Sequence, residues 1–114
     1  MNCFFQDLLA VLVLYNEKLE NSNTFKSLSK AIPKGAYVDL VVYDNSPETH
    51  NLENVESISF KIHYIHDEMN SGVSAAYNYG AKFAETENKT WMLILDQDTT
   101  FRNNIFNSYH EAIE

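Results

Sequence analysis

Residues 91–100 of the chain read Trp91-Met92-Leu93-Ile94-Leu95-Asp96-Gln97-Asp98-Thr99-Thr100. Five consecutive large apolar residues without polar alternation predict a strand buried on both faces, as in the centre of a parallel sheet. Asp96 and Asp98 follow where this strand leaves the core, and in extended geometry both carboxylates share one face with Cα atoms about 6–7 Å apart. Mg²⁺ and Mn²⁺ favour such hard oxygen ligands and complete their shells with water and substrate phosphate. The stretch therefore predicts a metal and diphosphate site, and the alternative is a solvated acidic turn.

Length and composition predict one globular domain over residues 1–114, with 45% of the residues hydrophobic. No apolar run approaches the roughly 20 residues that a membrane-spanning helix needs. The segment before the apolar stretch 8–14 has no Lys or Arg and contains Asp7, so it lacks the basic region of a signal peptide. The single cysteine, Cys3, excludes an internal disulfide framework and fits a reducing compartment. We therefore expect a cytoplasmic protein, with the inner face of the membrane an option for a longer chain.

The net charge of −8 and the eight scattered Lys and Arg residues disfavour direct binding to nucleic acid, because a phosphate backbone requires clustered basic side chains. An acidic protein can nevertheless hold a phosphorylated ligand through a bridging divalent cation and backbone N–H groups.

Hydrophobic periodicity and turn residues predict an alternation of strands and helices. The predicted elements are strand 8–14, a helix capped by Ser22 or Asn23 and ended by residues 33–35, strand 38–43, a sheet-edge strand 58–65, a helix over about 73–85, strand 91–95 and a terminal helix 104–114. Residues 48–57 are mostly polar and are predicted to form a loop, with a short helix within it as the alternative. The opening order of strand, helix and strand favours a parallel pair with a right-handed crossover.

The second long helix carries a ridge of small residues, Ala76, Gly80 and Ala84, at i, i+4 and i+8. Such a ridge lets a helix lie close to a sheet or a ligand. Close approach would explain Gly80, because glycine in a helix interior costs about 1 kcal/mol.

Polar clusters follow the predicted strands at their carboxyl ends. These clusters are Tyr15-Asn16, Asp44-Asn45, Asn70-Ser71-Gly72 and Asp96-Gln97-Asp98. In an open parallel sheet the carboxyl ends share one edge, and ligands bind there at the point where the strand order reverses. The four clusters are therefore predicted to converge on one crevice.

Four stretches of the chain resemble motifs of the family 2 glycosyltransferases, in the order in which that family carries them. Val13-Leu14-Tyr15-Asn16 resembles the opening-strand signature, and Val42-Tyr43-Asp44-Asn45-Ser46 resembles the second-strand signature. Residues 70–80 are similar to the family's Asn-x-Gly helix entry with its downstream Asn-x-Gly. Leu95-Asp96-Gln97-Asp98-Thr99 resembles the metal motif, in the Asp-Gln-Asp form often seen in rhamnosyltransferase-like members. Together the motifs span nearly the whole chain, which makes the match specific.

The resemblance implies a GT-A fold, which is an α/β architecture with a Rossmann-like, mostly parallel sheet of leading strand order 3-2-1-4 and helices on both faces. It implies a UDP- or dTDP-linked sugar as donor, a saccharide or lipid-linked acceptor in polysaccharide biosynthesis, and Mg²⁺ or Mn²⁺ as cofactor. Carried over motif by motif, Tyr15 and Asp44 would contact the nucleotide base, with Asp44 accepting a hydrogen bond from a pyrimidine N–H. Asn16 would belong to the same nucleotide-binding set, and Asn70 and Gly72 would line the nucleotide pocket.

The last motif would supply the metal ligands. Asp96 would face the ribose and phosphate side and Asp98 would ligate the metal, which would stabilise negative charge on the departing diphosphate. The chain stops soon after Asp98, where family members continue into the acceptor-binding part that supplies the catalytic carboxylate. Glu111 and Glu114 fall in the predicted terminal helix, so the catalytic base is unassigned. We therefore expect a partial GT-A domain, truncated after the Asp-x-Asp motif and holding the donor site.

Functions from other classes are left open by the sequence. A non-catalytic nucleotide-sugar-binding module would carry the same motifs. A receiver-like signalling domain also places acids around Mg²⁺, but its acid pair should follow the first strand, which here ends in Tyr15-Asn16. A sugar nucleotidyltransferase would need a Gly-rich loop with Arg after that strand, and none is present. His63 and His66 would point to opposite faces of a strand, which disfavours a shared metal.

Overall fold

The computed structural model describes residues 2–49, 59–95 and 105. Its elements are α1 (Asn2–Gln6), β1 (Leu8–Leu14), a short 3-10 helix (Leu19–Asn21), α2 (Asn23–Ala31), β2 (Val38–Asp44), β3 (Phe60–His66), α3 (Val73–Thr86) and β4 (Trp91–Leu95). The alternation of strands and helices predicted from the periodicity is confirmed.

The four strands form one parallel sheet in the order β3-β2-β1-β4. In the centre of the sheet, Ala10 of β1 lies opposite Leu40 of β2 on one side and Leu93 of β4 on the other. Residues 9–12 of β1 are fully buried, because a strand with neighbours on both sides and helices on both faces has no solvent-facing position. The predicted α/β fold with leading order 3-2-1-4 and the edge position of β3 are confirmed.

Two apolar clusters lie on opposite faces of the sheet. The larger contains alternate residues of β1 together with side chains of α1 and α2, such as Phe25 and Leu28. The smaller is formed by Leu9, Val11 and Val41 against α3. Because successive side chains of a strand point to opposite faces, α2 and α3 cover different sides of the same strands. The prediction of helices on both faces is confirmed.

Helix α2 begins and ends as its sequence predicts. Ser22 is the N-cap, and its Oγ accepts a hydrogen bond from the backbone N–H of Phe25 at 3.3 Å. The helix ends at Ala31, two residues before Pro33, which has no N–H to continue it. Helix α1 was not predicted from the sequence, because a five-residue helix is too short to show a period.

The prediction that the strand 91–95 is buried on both faces is wrong for its first residues. Trp91 and Met92 are 41% and 37% exposed. Within the described part of the chain, β4 is hydrogen-bonded on one side only, by β1, so it lies at the edge of this sheet. Burial increases along the strand and is complete at Leu95, which lies opposite Leu12.

Several predictions fall largely outside the described residues. Of the loop 48–57 only residues 48 and 49 are described, and of the terminal helix 104–114 only Ile105 is. Ile105 is helical and packs against the larger cluster. No helix within 2–49, 59–95 and 105 has the length and apolar character needed to span a bilayer.

Gly80 lets α3 approach the sheet closely, as the ridge of small residues predicts. A Cβ added at Gly80 would lie 2.7 Å from Cγ2 of Val11 and 3.1 Å from Sδ of Met92. The Val11 side chain is fully buried in the central strand and has little freedom to move away.

We expect Gly80→Ala to lower the free energy of unfolding by about 1–2 kcal/mol, because overpacking outweighs the gain in helix propensity. Urea unfolding measures the change. In a Val11→Ala background, which removes the clashing methyl group, the cost of Gly80→Ala should shrink. An increase in stability from the single substitution would show that the backbone of α3 shifts at no cost.

Candidate functional site

The carboxyl ends of β1, β2 and β3 are joined to one another beyond the last residues of the strands. The N–H of Asn45 donates to the carbonyl oxygen of Leu14 at 2.9 Å, and the N–H of Asp67 donates to the carbonyl oxygen of Asp44 at 2.8 Å. These bonds bring three of the predicted polar clusters to one edge of the sheet. The fourth, Asp96-Gln97-Asp98, lies outside the described residues, although Asp96 is the next residue in the sequence after the end of β4 at Leu95.

Asp44, the last residue of β2, is completely buried at this edge. Its Oδ2 accepts a hydrogen bond from the hydroxyl of Tyr64 at 2.6 Å, and its Oδ1 accepts one from the backbone N–H of Ser46 at 3.0 Å. A carboxylate removed from water requires such donors, and hydrogen bonds to a charged acceptor are the stronger ones. The carboxylate is therefore held in one orientation by β3 and by its own turn.

Ser46, in the turn after β2, is bonded both to the loop after β1 and to the last residue of β3. Its Oγ accepts a hydrogen bond from the backbone N–H of Asn16 at 2.7 Å, and its carbonyl oxygen accepts one from Nε2 of His66 at 2.9 Å. Asn16 has a left-handed φ of 53°, which asparagine tolerates better than most residues. The neighbouring Tyr15 is 48% exposed and thus presents an aromatic surface next to the buried polar group.

The loop between β3 and α3 is organised by Asp67. Its carboxylate accepts hydrogen bonds from the hydroxyl of Tyr43 at 2.7 Å and from the backbone N–H groups of Met69 and Ser71 at 3.1 and 3.4 Å. Asn70 and Gly72, which belong to the predicted nucleotide pocket, have left-handed φ values of 50° and 90°. The backbone of this loop therefore follows a path that few L-residues adopt without support.

The Tyr43–Asp67 hydrogen bond changes the titration of both groups. Burial and the adjacent Asp67 carboxylate raise the pKa of Tyr43 to about 12, because both disfavour the phenolate. The hydrogen bond from Tyr43, with further ones from the loop, lowers the pKa of Asp67 against the opposing effect of burial. At neutral pH the pair is a neutral phenol donating to a carboxylate.

Asn45 carries the one buried side-chain oxygen that has no hydrogen-bond partner in the described residues. The residue is 4% exposed, and the atom concerned is Oδ1. An unpaired buried acceptor costs about 1–3 kcal/mol in general, so it is seldom kept without a use. It lies between Asp44 and Ser46, at the centre of the polar edge.

No group of three or more His, Cys, Asp or Glu side chains suitable for a metal ion occurs in residues 2–49, 59–95 and 105. His63 and His66, which the sequence places on opposite faces, have separate partners. Nε2 of His63 contacts Oδ1 of Asp39 at 3.0 Å, and His66 binds Ser46. The predicted metal ligands Asp96 and Asp98 lie outside the described residues, so a metal site there stays a prediction.

Sequence reasoning identified Tyr15, Asn16, Asp44, Asn70 and Gly72, and the structure describes all five at or next to the carboxyl edge. It missed the side chains that support them. Tyr64 was assigned only to the strand 58–65, Tyr43 and Ser46 were seen only as parts of a motif, His66 was considered only together with His63 as a metal ligand, and no role was predicted for Asp67. The only signal in the sequence was their position at strand ends, which they share with ordinary turn residues.

The family model described as Glycosyl transferase family 2 matches residues 10–108. The match begins within β1 and includes the remaining three strands and all of the polar clusters. None of the curated proteins compared with the chain matches it.

Proposed function

Because the chain belongs to glycosyl transferase family 2, we propose that its carboxyl edge binds a nucleoside-diphosphate sugar and that the protein transfers this sugar to a saccharide or lipid-linked acceptor. The observation that carries the proposal is the convergence at one sheet edge of an exposed Tyr15 ring, a fixed Asp44 carboxylate and the loop with Asn70 and Gly72. This edge is where open parallel sheets bind nucleotides.

Each described residue has a role suited to its surroundings. The half-exposed Tyr15 ring offers a stacking surface for the base. Both oxygens of Asp44 accept hydrogen bonds from the protein, which fixes this carboxylate at the edge where the pyrimidine N–H would be recognised. The unpaired Oδ1 of Asn45 adds an acceptor next to this carboxylate. Asn16 shapes the first loop, and the backbone at Asn70 and Gly72 lines the pocket.

Asp96 and Asp98 would hold Mg²⁺ or Mn²⁺. Two carboxylates that directly follow a strand fit these ions, which take few protein ligands and prefer oxygen. When bound, the cation supplies stabilisation of negative charge on a departing diphosphate. The described residues at the ends of β1, β2 and β3 would bind and orient the nucleotide. The Asp-Gln-Asp form supports a rhamnosyltransferase-like subtype, with dTDP- or UDP-linked sugars as donors.

The proposal is tested by calorimetric titration of the chain with UDP and dTDP, once in Mn²⁺ and once in EDTA. We expect at least tenfold tighter binding in Mn²⁺, because two unneutralised carboxylates repel a diphosphate. Asp98→Ala should remove the difference between the two conditions. Glu85→Gln, which removes an exposed acid at the opposite end of α3, is the matched control and should leave it unchanged.

Equal affinity in Mn²⁺ and EDTA would contradict the metal part of the proposal, and the absence of binding in both would contradict the nucleotide part. Incubation with labelled UDP- and dTDP-sugars and saccharide acceptors separates a transferase from a binding module. Binding without any transfer product would favour the module.

A further inference from the structure

Tyr43 has two functions in the fold that involve different atoms. Its ring packs against Tyr79 of α3, with 6.1 Å between the ring centroids. Its hydroxyl extends beyond this contact and donates to Oδ2 of Asp67 at 2.7 Å. A phenylalanine would fill the same space, so the hydroxyl group is not needed for packing. It is directed at the loop that precedes α3.

Asp67 is bound to its surroundings through both main chain and side chain. Its N–H donates to the carbonyl oxygen of Asp44, and its own carbonyl oxygen accepts from Asn70 at 3.1 Å. Its Oδ1 accepts from the N–H of Met69, and its Oδ2 accepts from both the N–H of Ser71 and the hydroxyl of Tyr43. Asp67 therefore links Asp44, at the end of β2, to the backbone N–H groups of residues 69, 70 and 71.

The backbone of the loop 67–72 depends on side-chain hydrogen bonds for its conformation. Asn70 and Gly72 both have positive φ values, and because asparagine and glycine adopt this and other conformations more readily than most residues, the sequence alone does not hold the loop in one path. Met69 is 80% exposed, so apolar packing contributes little to order there. The hydrogen bonds of Asp67 are the main described interactions that hold residues 68–71 in place.

We propose that Tyr43 and Asp67 are positioning residues of the nucleotide site: the hydrogen bond between them fixes the loop 67–72 before the ligand arrives and thereby sets the affinity for the nucleoside diphosphate. The inference rests on the proposed function, because Asn70 and Gly72 act on the ligand only if this edge binds a nucleotide. A loop that is already ordered loses little entropy on binding, whereas a loose loop loses affinity through the cost of ordering.

The position of Tyr43 also links the two halves of the site. Tyr43 and Asp44 are adjacent in β2 and therefore point to opposite faces of the sheet. Asp44 is held by Tyr64 on the face covered by α2, and Tyr43 holds Asp67 on the face covered by α3. The end of β2 thus fixes the position of the Asp44 carboxylate relative to the loop 67–72.

The test compares Tyr43→Phe with Tyr37→Phe, which also removes one phenol oxygen but at an exposed position near the amino end of β2. Two measurements are made on each full chain: amide hydrogen exchange of the free protein, and the Kd for UDP in Mn²⁺. In Tyr43→Phe we expect faster exchange in residues 68–72, unchanged exchange in the centre of α3, and a Kd raised about tenfold. Tyr37→Phe should match the wild type in both.

Two substitutions of Asp67 test its carboxylate: Asp67→Asn removes the charge and one acceptor oxygen, and Asp67→Ala removes both oxygens. Asparagine keeps an oxygen that accepts from Tyr43 or from the loop, so it should restore part of the affinity that alanine loses. If Tyr43 and Asp67 only stabilised the fold, their substitutions would lower the urea midpoint in parallel with the affinity for UDP. We expect instead that Tyr43→Phe raises the Kd with little change in the midpoint.

The outcomes separate this inference from the proposed function. If the wild type binds UDP and Tyr43→Phe leaves both Kd and exchange unchanged, the positioning role is wrong and the proposed function stands. If the wild type binds neither UDP nor dTDP, the proposed function fails, and the positioning of a nucleotide falls with it. Faster exchange across the whole of α3 in Tyr43→Phe would also overturn the inference, because the hydroxyl would then stabilise the fold in general.

Discussion

Replacing Asp44 by alanine is expected to lower the free energy of unfolding by about 2–4 kcal/mol and to weaken nucleotide binding at least tenfold. The substitution removes the acceptor that the buried Ser46 N–H and the partly buried Tyr64 hydroxyl each now have on Asp44. Tyr64 keeps a second contact, 3.2 Å from Oγ1 of Thr49, which reduces its share of the loss. The nucleotide loses the acceptor proposed for its N–H.

Two further variants separate these effects. Tyr64→Phe removes one donor but leaves the carboxylate, so stability should fall while nucleotide binding is largely retained. Asp44→Asn keeps the size and one acceptor oxygen, so it should retain more stability than alanine but bind the nucleotide less tightly than the wild type. Urea unfolding and calorimetry with UDP measure the two quantities. Wild-type affinity in both Asp44 variants would show that the carboxylate is a purely structural group.

Lys89→Met is expected to lower the free energy of unfolding by about 2–4 kcal/mol, because it removes one partner of a largely buried ion pair. Nζ of Lys89 lies 2.7 Å from Oδ2 of Asp39, and the two side chains are 9% and 16% exposed. The same Nζ donates to the carbonyl oxygen of Gln6 at 2.6 Å, so Lys89 also ties the end of α1 to the segment before β4. His63 remains bound to Asp39, which keeps the cost in the lower part of the range for broken buried pairs.

The controls for this ion pair test burial and charge separately. Lys82→Met, at an exposed position of α3, should change stability by less than about 0.5 kcal/mol. The double substitution Asp39→Leu with Lys89→Met should recover much of the loss, since an apolar pair leaves no buried charge without a partner. A cost for Lys89→Met as small as that of Lys82→Met would mean that water reaches the pair freely.

The same pair predicts a dependence of stability on acid. Burial acts to raise the pKa of Asp39, but the hydrogen bonds and positive charges of Lys89 and His63 outweigh it, and the pKa lies below its ordinary value of 3.8. The folded state thus binds this proton less readily than the unfolded state. The stabilisation is complete above the unfolded pKa and is lost as the pH falls through the lower, folded pKa. The free energies of unfolding of the wild type and of Asp39→Asn, plotted against pH, should therefore converge in acid. A constant difference between them down to the lowest pH would contradict this prediction.

The sequence alone determined the elements and their arrangement wherever the deciding interactions are local. An unbroken apolar run predicted the strand β1, Ser22 three residues before Phe25 predicted the cap of α2, and the small residue Gly80 predicted the close approach of α3 to the sheet. These features depend on periods of two and 3.6 residues and on backbone groups a few positions away. The alternation of strands and helices predicted only a parallel pair with a right-handed crossover, and the order 3-2-1-4 followed from the family resemblance.

Only the tertiary structure decided how the site is held. Tyr43 meets Asp67 across 24 residues, Tyr64 meets Asp44 across 20, and Asp39 meets Lys89 across the length of β3 and α3. Each residue taken by itself reads in the sequence as a strand or turn position, because no local period relates it to its partner. The exposure of Trp91 and Met92 was also missed, since an apolar run does not reveal whether a neighbouring strand lies on both sides. Pairings of this kind depend on strand order and register, which exist only once the sheet has formed.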